Sequence, residues 1–317
     1  MRTFLRHLAV FSLLPMLVCI QAVMKADGTI DFAYLRFTTP QQSSLILGTS
    51  RAAQGLRPHV LDSMLNATGR RIRSYNYGFA VGFSNYGPAY YNSIRAKLDP
   101  AARDGVYVLS VDPWGLCCRA DRPPSNDRSE DAASGIAKVH WVNVKPNLEY
   151  LIHNYNEPFL KILLPDPRPS DYARITDDGW VEVRTSMLAM DVERRTVKKV
   201  KFYREEMLPN ARPSAMRLGY LGLTIDLLRQ HGTVVLVRLP VSKGIQAIEE
   251  ELWPGFSSMM QRMADDAHTQ FIDLYSSGDE WSFFDGNHMT PPSSAKATVI
   301  VANALIRSNG TRPSQEQ

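Results

Sequence analysis

The run Gly105-Val106-Tyr107-Val108-Leu109-Ser110-Val111 is apolar almost without interruption, and it limits the fold more than any other stretch of this chain. A strand with one wet face alternates polar and apolar residues. A strand apolar along its length is covered on both faces, as in a parallel sheet under helices. Four further runs read as strands: Leu45-Ile46-Leu47, Ile72 to Tyr77, Thr233 to Leu239 and Gln270 to Leu274. Between them lie helical stretches. One follows Ser50 through Asp62 and Leu65, and others cover Pro88 to Leu98, 190–208, Ser214 to His231, Ile245 to Ala267 and Ala295 to Ile306. Pro213 and Gly232 bracket the fourth of these as start and stop signals. The alternation predicts a three-layer α/β sandwich with a mostly parallel central sheet. Residues 115–210 break the rhythm and read as an insertion. Within it, Arg119 to Ser134 carries Pro123-Pro124 and reads as loop, and Trp180-Val181-Glu182-Val183 as a short exposed strand.

With 317 residues, 44% hydrophobic and 21% charged, the chain has room for one large domain or two small ones. A formal charge of +4 is too mild to argue for nucleic acid. The three cysteines are Cys19, Cys117 and Cys118. A bridge between neighbours such as the last two is strained, so no disulfide framework is expected. The seven histidines are scattered, and none pairs with a cysteine at zinc spacing. At the N-terminus, Arg2, Arg6 and His7 precede an uncharged stretch from Leu8 to Met24. It is long for a signal-peptide core and short for a spanning helix, and no clear cleavage site comes after it. It reads as an uncleaved signal anchor, with secretion after cleavage as the alternative. The basic prefix places the remainder outside the cytoplasm. The expected division is 1–24 anchor or signal peptide, 25–42 linker, 43–310 domain with the insertion 115–210, and 311–317 tail.

Sites in parallel α/β sheets form at the carboxyl ends of the strands. Ser50, the Gly78 to Gly87 loop, Asp112, Pro240 and Asp285 all follow predicted strands. Gly48-Thr49-Ser50 is a tight turn between a strand and a helix, where N–H groups at the helix start can stabilise an oxyanion. Asp285-Gly286-Asn287-His288 supplies an acid and a base three residues apart. His288 would take the Ser50 proton during attack and return it to the leaving group, while Asp285 holds the imidazole. Residue 52 is Ala, which sets this turn apart from Gly-x-Ser-x-Gly hydrolases.

Over residues 43–116 and 230–306 the chain resembles the SGNH (GDSL-like) hydrolase superfamily. Gly48-Thr49-Ser50 matches the Gly-Asp-Ser block that carries the nucleophile. Asn76-Tyr77-Gly78 through Gly82 resembles the block whose glycine lines the oxyanion hole, and Asp285 to His288 matches the Asp-x-x-His block. The resemblance implies an SGNH/flavodoxin-like sandwich plus an insertion. It also implies serine ester chemistry without cofactor or metal, with Ser50, Asp285 and His288 as catalytic residues. The oxyanion would bind to the N–H groups of Ser50 and Gly82, with Gly78 as second choice. One block departs. Where the family carries an oxyanion asparagine, this chain has Asp112, which accepts but does not donate when ionised; Asn76 and Asn85 are candidate substitutes.

The departure and the N-terminal segment together resemble membrane-anchored SGNH-like proteins of cell-envelope acylation. That implies an acylated glycan or other envelope ester as substrate, and a membrane-bound O-acyltransferase as possible partner. Arg51, Asp112, Trp114 and Arg238 are weaker candidates for substrate contact, each with a structural alternative. Arg194, Lys198 and Lys201 share a helical face beside Arg195 and Lys199, which reads as solvated or as a contact for anionic lipid or glycan. The expected activity is an extracytoplasmic serine esterase or O-acyltransferase. The alternative is a catalytically silent protein of the same fold that binds glycan or the acyltransferase. A lipase is disfavoured, since nothing marks an apolar lid.

Overall fold

The computed structural model describes residues 1–26, 31, 33–155, 160–164, 172–276 and 280–310. Five strands form the central sheet: β1 Ser44–Leu47, β2 Ser74–Asn76, β3 Gly105–Ser110, β4 Gly232–Arg238 and β5 Gln270–Asp273. Their order is β2-β1-β3-β4-β5, and every pairing is parallel. This is the doubly wound order in which the chain reverses direction across the sheet between β1 and β3.

Alternate residues of each strand feed opposite layers, as the strand period of two requires. Leu45, Leu47, Tyr107, Leu109, Val234 and Leu236 pack against helices Pro88–Lys97, Ala215–Arg229 and Phe256–Asp266. Ile46, Val106, Val108, Val235, Val237 and Ile272 pack against helices Pro58–Asn66 and Pro291–Gly310.

Several local readings change. The helix expected after Ser50 is two, Ser50–Gly55 and Pro58–Asn66. Arg57 is extended because the residue before a proline is pushed out of the helical region. The helix expected over 245–267 is also two, Lys243–Leu252 and Phe256–Asp266. Trp253-Pro254-Gly255 interrupts it, with Gly255 at φ 72°. The stretch 119–134 contains a helix, Asp127–Ala132, whose acids are held by distant arginines. Asp131 pairs with Arg217 at 3.2 Å, and Asp127 pairs with Arg212. Trp180 and Val181 are buried rather than exposed, and Val181–Arg184 forms a hairpin with Tyr172–Ile175.

Of the expected linker 25–42, the described residues 33–42 pack onto the body, and 27–30 and 32 lie outside the described residues. Arg2–Lys25 is one helix, exposed over most of its length and apolar enough to cross a membrane by length and composition. Its last turn touches the body, with Ala22 and Ala26 buried. Tyr34–Phe37 then forms a short 3-10 turn in which Tyr34, Arg36 and Phe37 are buried. Just past that turn the Lys97 ammonium ties the chain down, donating to Thr39 O (2.5 Å) and Thr39 Oγ1 (2.7 Å) as well as to Val142 O (2.7 Å). None of these acceptors is a carboxylate. Burial therefore lowers the Lys97 pKa to about 7.

The folded chain thus releases the Lys97 proton at a pH where the unfolded chain still holds it. Stability should rise with pH from about 7 toward the ordinary lysine value, with a limiting slope of about 1.4 kcal/mol per pH unit. Urea denaturation of the wild type and Lys97→Met between neutral and alkaline pH checks this. The pH-dependent rise should be missing from the variant, and an equal rise in both would contradict the assignment.

Candidate active site

Ser50 reaches its position because β1 ends in a residue that only glycine can be. Gly48 has φ 133°, and a β-carbon there would lie 2.7 Å from the Ser110 carbonyl oxygen. The turn is then held from three sides. Gly48 N donates to the Tyr90 hydroxyl (3.1 Å), while Gly48 O accepts from Phe79 N (3.1 Å) and Ser84 Oγ (2.9 Å). Thr49 is the N-cap of helix Ser50–Gly55 and donates its hydroxyl to Asp112 Oδ2 at 2.7 Å. Ser50 is therefore the first helical residue, half-exposed at the carboxyl edge of the sheet.

Asp285 and His288 reach the same edge on the loop before helix Pro291–Gly310. The Asp285 carboxylate folds the loop onto itself, accepting from Asn287 N (3.0 Å) and His288 N (2.9 Å). Gly286 makes this possible at φ 79°, with no room for a side chain against Ser242 Oγ. The three side chains lie in one hydrogen-bonded line. Ser50 Oγ is 2.9 Å from His288 Nε2, and His288 Nδ1 is 3.0 Å from Asp285 Oδ2. Burial alone would raise the Asp285 pKa. The hydrogen bond and charge of His288, the charge of Lys199 and the His288 N–H outweigh it, holding the carboxyl well below the usual range.

The surrounding bonds fix the histidine tautomer. Asn287 Oδ1 accepts from Arg51 Nε (3.0 Å) and from the Tyr203 hydroxyl (3.2 Å). Its amide nitrogen must then face His288 Nε2, 3.1 Å away. A donor facing Nε2 places the imidazole proton on Nδ1, toward Asp285. The Nε2 lone pair faces the serine hydroxyl, as a base requires.

Arg51 and Arg238, expected to reach substrate, are instead 4% and 1% exposed. Both converge on Glu249. Arg51 Nη2 lies 2.6 Å from Glu249 Oε1 and Arg238 Nη2 lies 3.2 Å from Oε2. Burial would lower the Arg51 pKa, but the Glu249 and Asp112 carboxylates drive it up, so the group stays cationic. Trp114, also considered for the pocket, donates its indole N–H to Glu249 Oε1 at 2.9 Å and is buried against Tyr203. Asp112 is buried as well, its second oxygen capping the next turn through Gly115 N at 3.0 Å. All four weak substrate candidates are thus engaged inside the protein.

The expected oxyanion donors are likewise placed. Gly78 N donates to Asn76 Oδ1 (3.1 Å), and Gly82 N donates to Asn85 Oδ1 (2.7 Å). Asn76 is spent, since its amide nitrogen bonds the carbonyls of Ala52 and Leu56, both at 2.9 Å. Asn85 is different. Its oxygen is pinned by Gly82, and its amide nitrogen has only a long 3.5 Å contact to Trp114 O. It follows Ser84, which holds the nucleophile turn.

The insertion contributes to the site. Helix Ala189–Phe202 lies over the acid loop, with Lys199 Nζ 3.3 Å from Asp285 Oδ2 and Arg195 Nε donating to Phe284 O at 3.0 Å. The basic stripe is thereby divided, because Arg194 pairs with Asp191 on the exposed side. Sequence reasoning missed Glu249 and Tyr203, and it named Asn287 and Lys199 without their contacts to His288 and Asp285. Glu249 carried one signal: it falls on the same helical face as Ile245 and Ile248, where a solvated acid has no place.

The sequence matches no protein-family model and no curated protein. Among solved structures, the chain is similar to a carbohydrate acetylesterase from Sinorhizobium meliloti, at 9% identity and TM-score 0.38, over 84% of this chain and 100% of that one. It is also similar to an aryl esterase of M. smegmatis, at 12% identity and TM-score 0.35, over 84% of this chain and 99% of that one.

Removing the Glu249 carboxylate leaves two buried guanidinium groups without their shared counter-charge. Glu249→Ala should cost about 3–5 kcal/mol, the usual range for breaking a buried ion pair from one side. Denaturant titration reads it directly, and a loss below 1 kcal/mol, roughly the scale of an exposed pair, would show that the cluster does not hold the site together.

Proposed function

We propose that this chain is a membrane-tethered, extracytoplasmic serine acyl-transfer enzyme of the SGNH type. It moves or removes a small acyl group, such as acetyl, on an envelope or exported glycan. The observation that carries the reading is the line Asp285–His288–Ser50, with Nε2 as the acceptor nitrogen facing both the Ser50 hydroxyl and the Asn287 amide. Ser50 Oγ attacks the ester carbonyl as His288 Nε2 takes its proton, and that proton passes to the leaving alkoxide. The acyl-Ser50 ester is then attacked by an acceptor hydroxyl, whose proton returns through His288 to Ser50 Oγ. Water as acceptor makes the enzyme an esterase, a sugar hydroxyl makes it a transferase, and a membrane-bound O-acyltransferase is a fitting donor partner. The N-terminal apolar helix supports the extracytoplasmic placement.

The oxyanion would sit against the Ser50 N–H at the helix start and the Asn85 amide nitrogen, which takes the place of the donor missing at Asp112. A second reading, a silent protein of the same fold that binds glycan or acyltransferase, is favoured by one observation. The Gly78 and Gly82 N–H groups are both already bonded.

A fluorophosphonate probe separates the two. Under the enzyme reading, the wild type labels covalently and Ser50→Ala does not. Failure of folded wild-type protein to label, together with no turnover of acetyl esters, supports the silent reading. Asn85→Ala should then lower kcat about a hundredfold with KM nearly unchanged, the size of effect seen for one lost oxyanion donor. Asn287→Asp would place an acceptor at Nε2 and favour the wrong tautomer. It should lower kcat by a factor on the order of a thousand, and an unchanged rate would remove Asn287 from the tautomer argument.

A further inference from the structure

We propose that the surface formed by residues 138–155 and 160–164 rests on the lipid bilayer around the base of the N-terminal helix, so that the domain lies against the membrane. The proposal rests on the reading of helix Arg2–Lys25 as a membrane anchor.

Three observations carry it. The first is an apolar surface with no cover. Trp141, Val144, Leu148, Ile152, Leu160 and Leu164 are 41% to 75% exposed. Six large apolar side chains exposed within so short a stretch suit a contact surface better than single scattered surface residues do.

The second is its place in the fold. The helix Leu160–Leu163 packs beside helix Arg2–Lys25. The helix Leu148–His153 is joined to the residues just after the anchor. Asn147 Nδ2 donates to Phe37 O at 3.1 Å, and the Tyr150 ring meets Tyr34 and Phe37 at 5.6 and 5.0 Å. The Tyr150 hydroxyl donates to Asp31 Oδ2 at 2.9 Å. Ala22 and Ala26 are buried, and Ala26 shares a cluster with Tyr34 and Phe37, so the end of the anchor helix itself packs against the body. Whatever lies beside its base lies beside the membrane.

The third is the charge pattern. Among the described residues of this stretch, the exposed charged side chains are Lys138, Lys145 and Lys161. The one acid described there, Glu149, is turned inward and accepts from the N–H groups of His140 and Trp141. A tryptophan and lysines around aliphatic side chains suit the boundary between acyl chains and anionic headgroups.

The test uses the full chain in nanodiscs containing anionic lipid, with an environment-sensitive fluorophore on one cysteine at a time. Cys117 and Cys118 are buried and stay unlabelled in the folded protein. Labels are placed on native Cys19, on Cys19→Ser/Ile152→Cys, and on Cys19→Ser/Leu223→Cys. Leu223 is an exposed residue on helix Ala215–Arg229, outside the proposed surface. Brominated lipid should quench the labels at 19 and 152 several-fold more than the label at 223, and aqueous iodide should show the reverse order. Strong lipid quenching at 19 with 152 no different from 223 would overturn the proposal and leave the anchor standing. No lipid quenching at 19 would overturn the anchor reading itself. Shielding of 152 from iodide that appears only with a membrane protein present, and without quenching by lipid, would also overturn it and point to a protein partner.

Discussion

The site depends on one buried carboxylate. Glu249 belongs to no catalytic block, yet it binds Arg51 and Arg238 and takes the indole N–H of Trp114. These partners come from the helix after β1, the end of β4 and the turn after β3. Arg51 carries the effect further, because it adjoins Ser50 in sequence and its Nε holds Asn287. Asn287 in turn faces the base nitrogen of His288. The nucleophile loop and the acid–base loop, 238 positions apart, are thereby referenced to the same fixed charge. A buried ion cluster contributes little net stability over an apolar replacement, but it accepts very few geometries. Restricting geometry is what a three-residue proton relay needs.

Asp112 works in the same way. In the position where a donor was expected, it receives Thr49 on one oxygen and Gly115 on the other. It therefore joins the turns after β1 and β3. Asp112 thus braces the turn that carries Ser50, and under the proposed function the donor role would pass to the loop after β2. In that loop the amide oxygen of Asn85 is fixed by Gly82, and its nitrogen keeps only the 3.5 Å contact to Trp114 O.

The layer architecture and the candidate relay were legible because both depend on local patterns. Apolar strands covered on both faces, a glycine at a strict turn and an Asp-x-x-His spacing are all written in short stretches. The features that escaped depend on distant partners. Arg51 and Arg238 look like solvent-seeking cations at strand ends, and only the folded chain brings Glu249 to neutralise both. The helix Asp127–Ala132 has poor local signals and exists on the strength of Arg212 and Arg217. The segment 25–42 has linker composition, yet Lys97 and the aromatic contacts of Phe37 hold it down.

Those aromatic contacts link the anchor to the chemistry. Phe37 stacks on Phe79 at 5.4 Å and meets Phe83 edge-on at 6.1 Å. Arg36 donates to Asn76 O at the end of β2. Phe79 N and Ser84 Oγ both bond Gly48 O, two residues before Ser50. The path from Tyr34 and Phe37 to the turn that carries Ser50 therefore runs through packed side chains. The same rigidity limits what the β2 loop can do on its own. Under the proposed function, a movement that turned Asn85 toward a developing oxyanion would also be felt at Gly48, through the bond from Ser84.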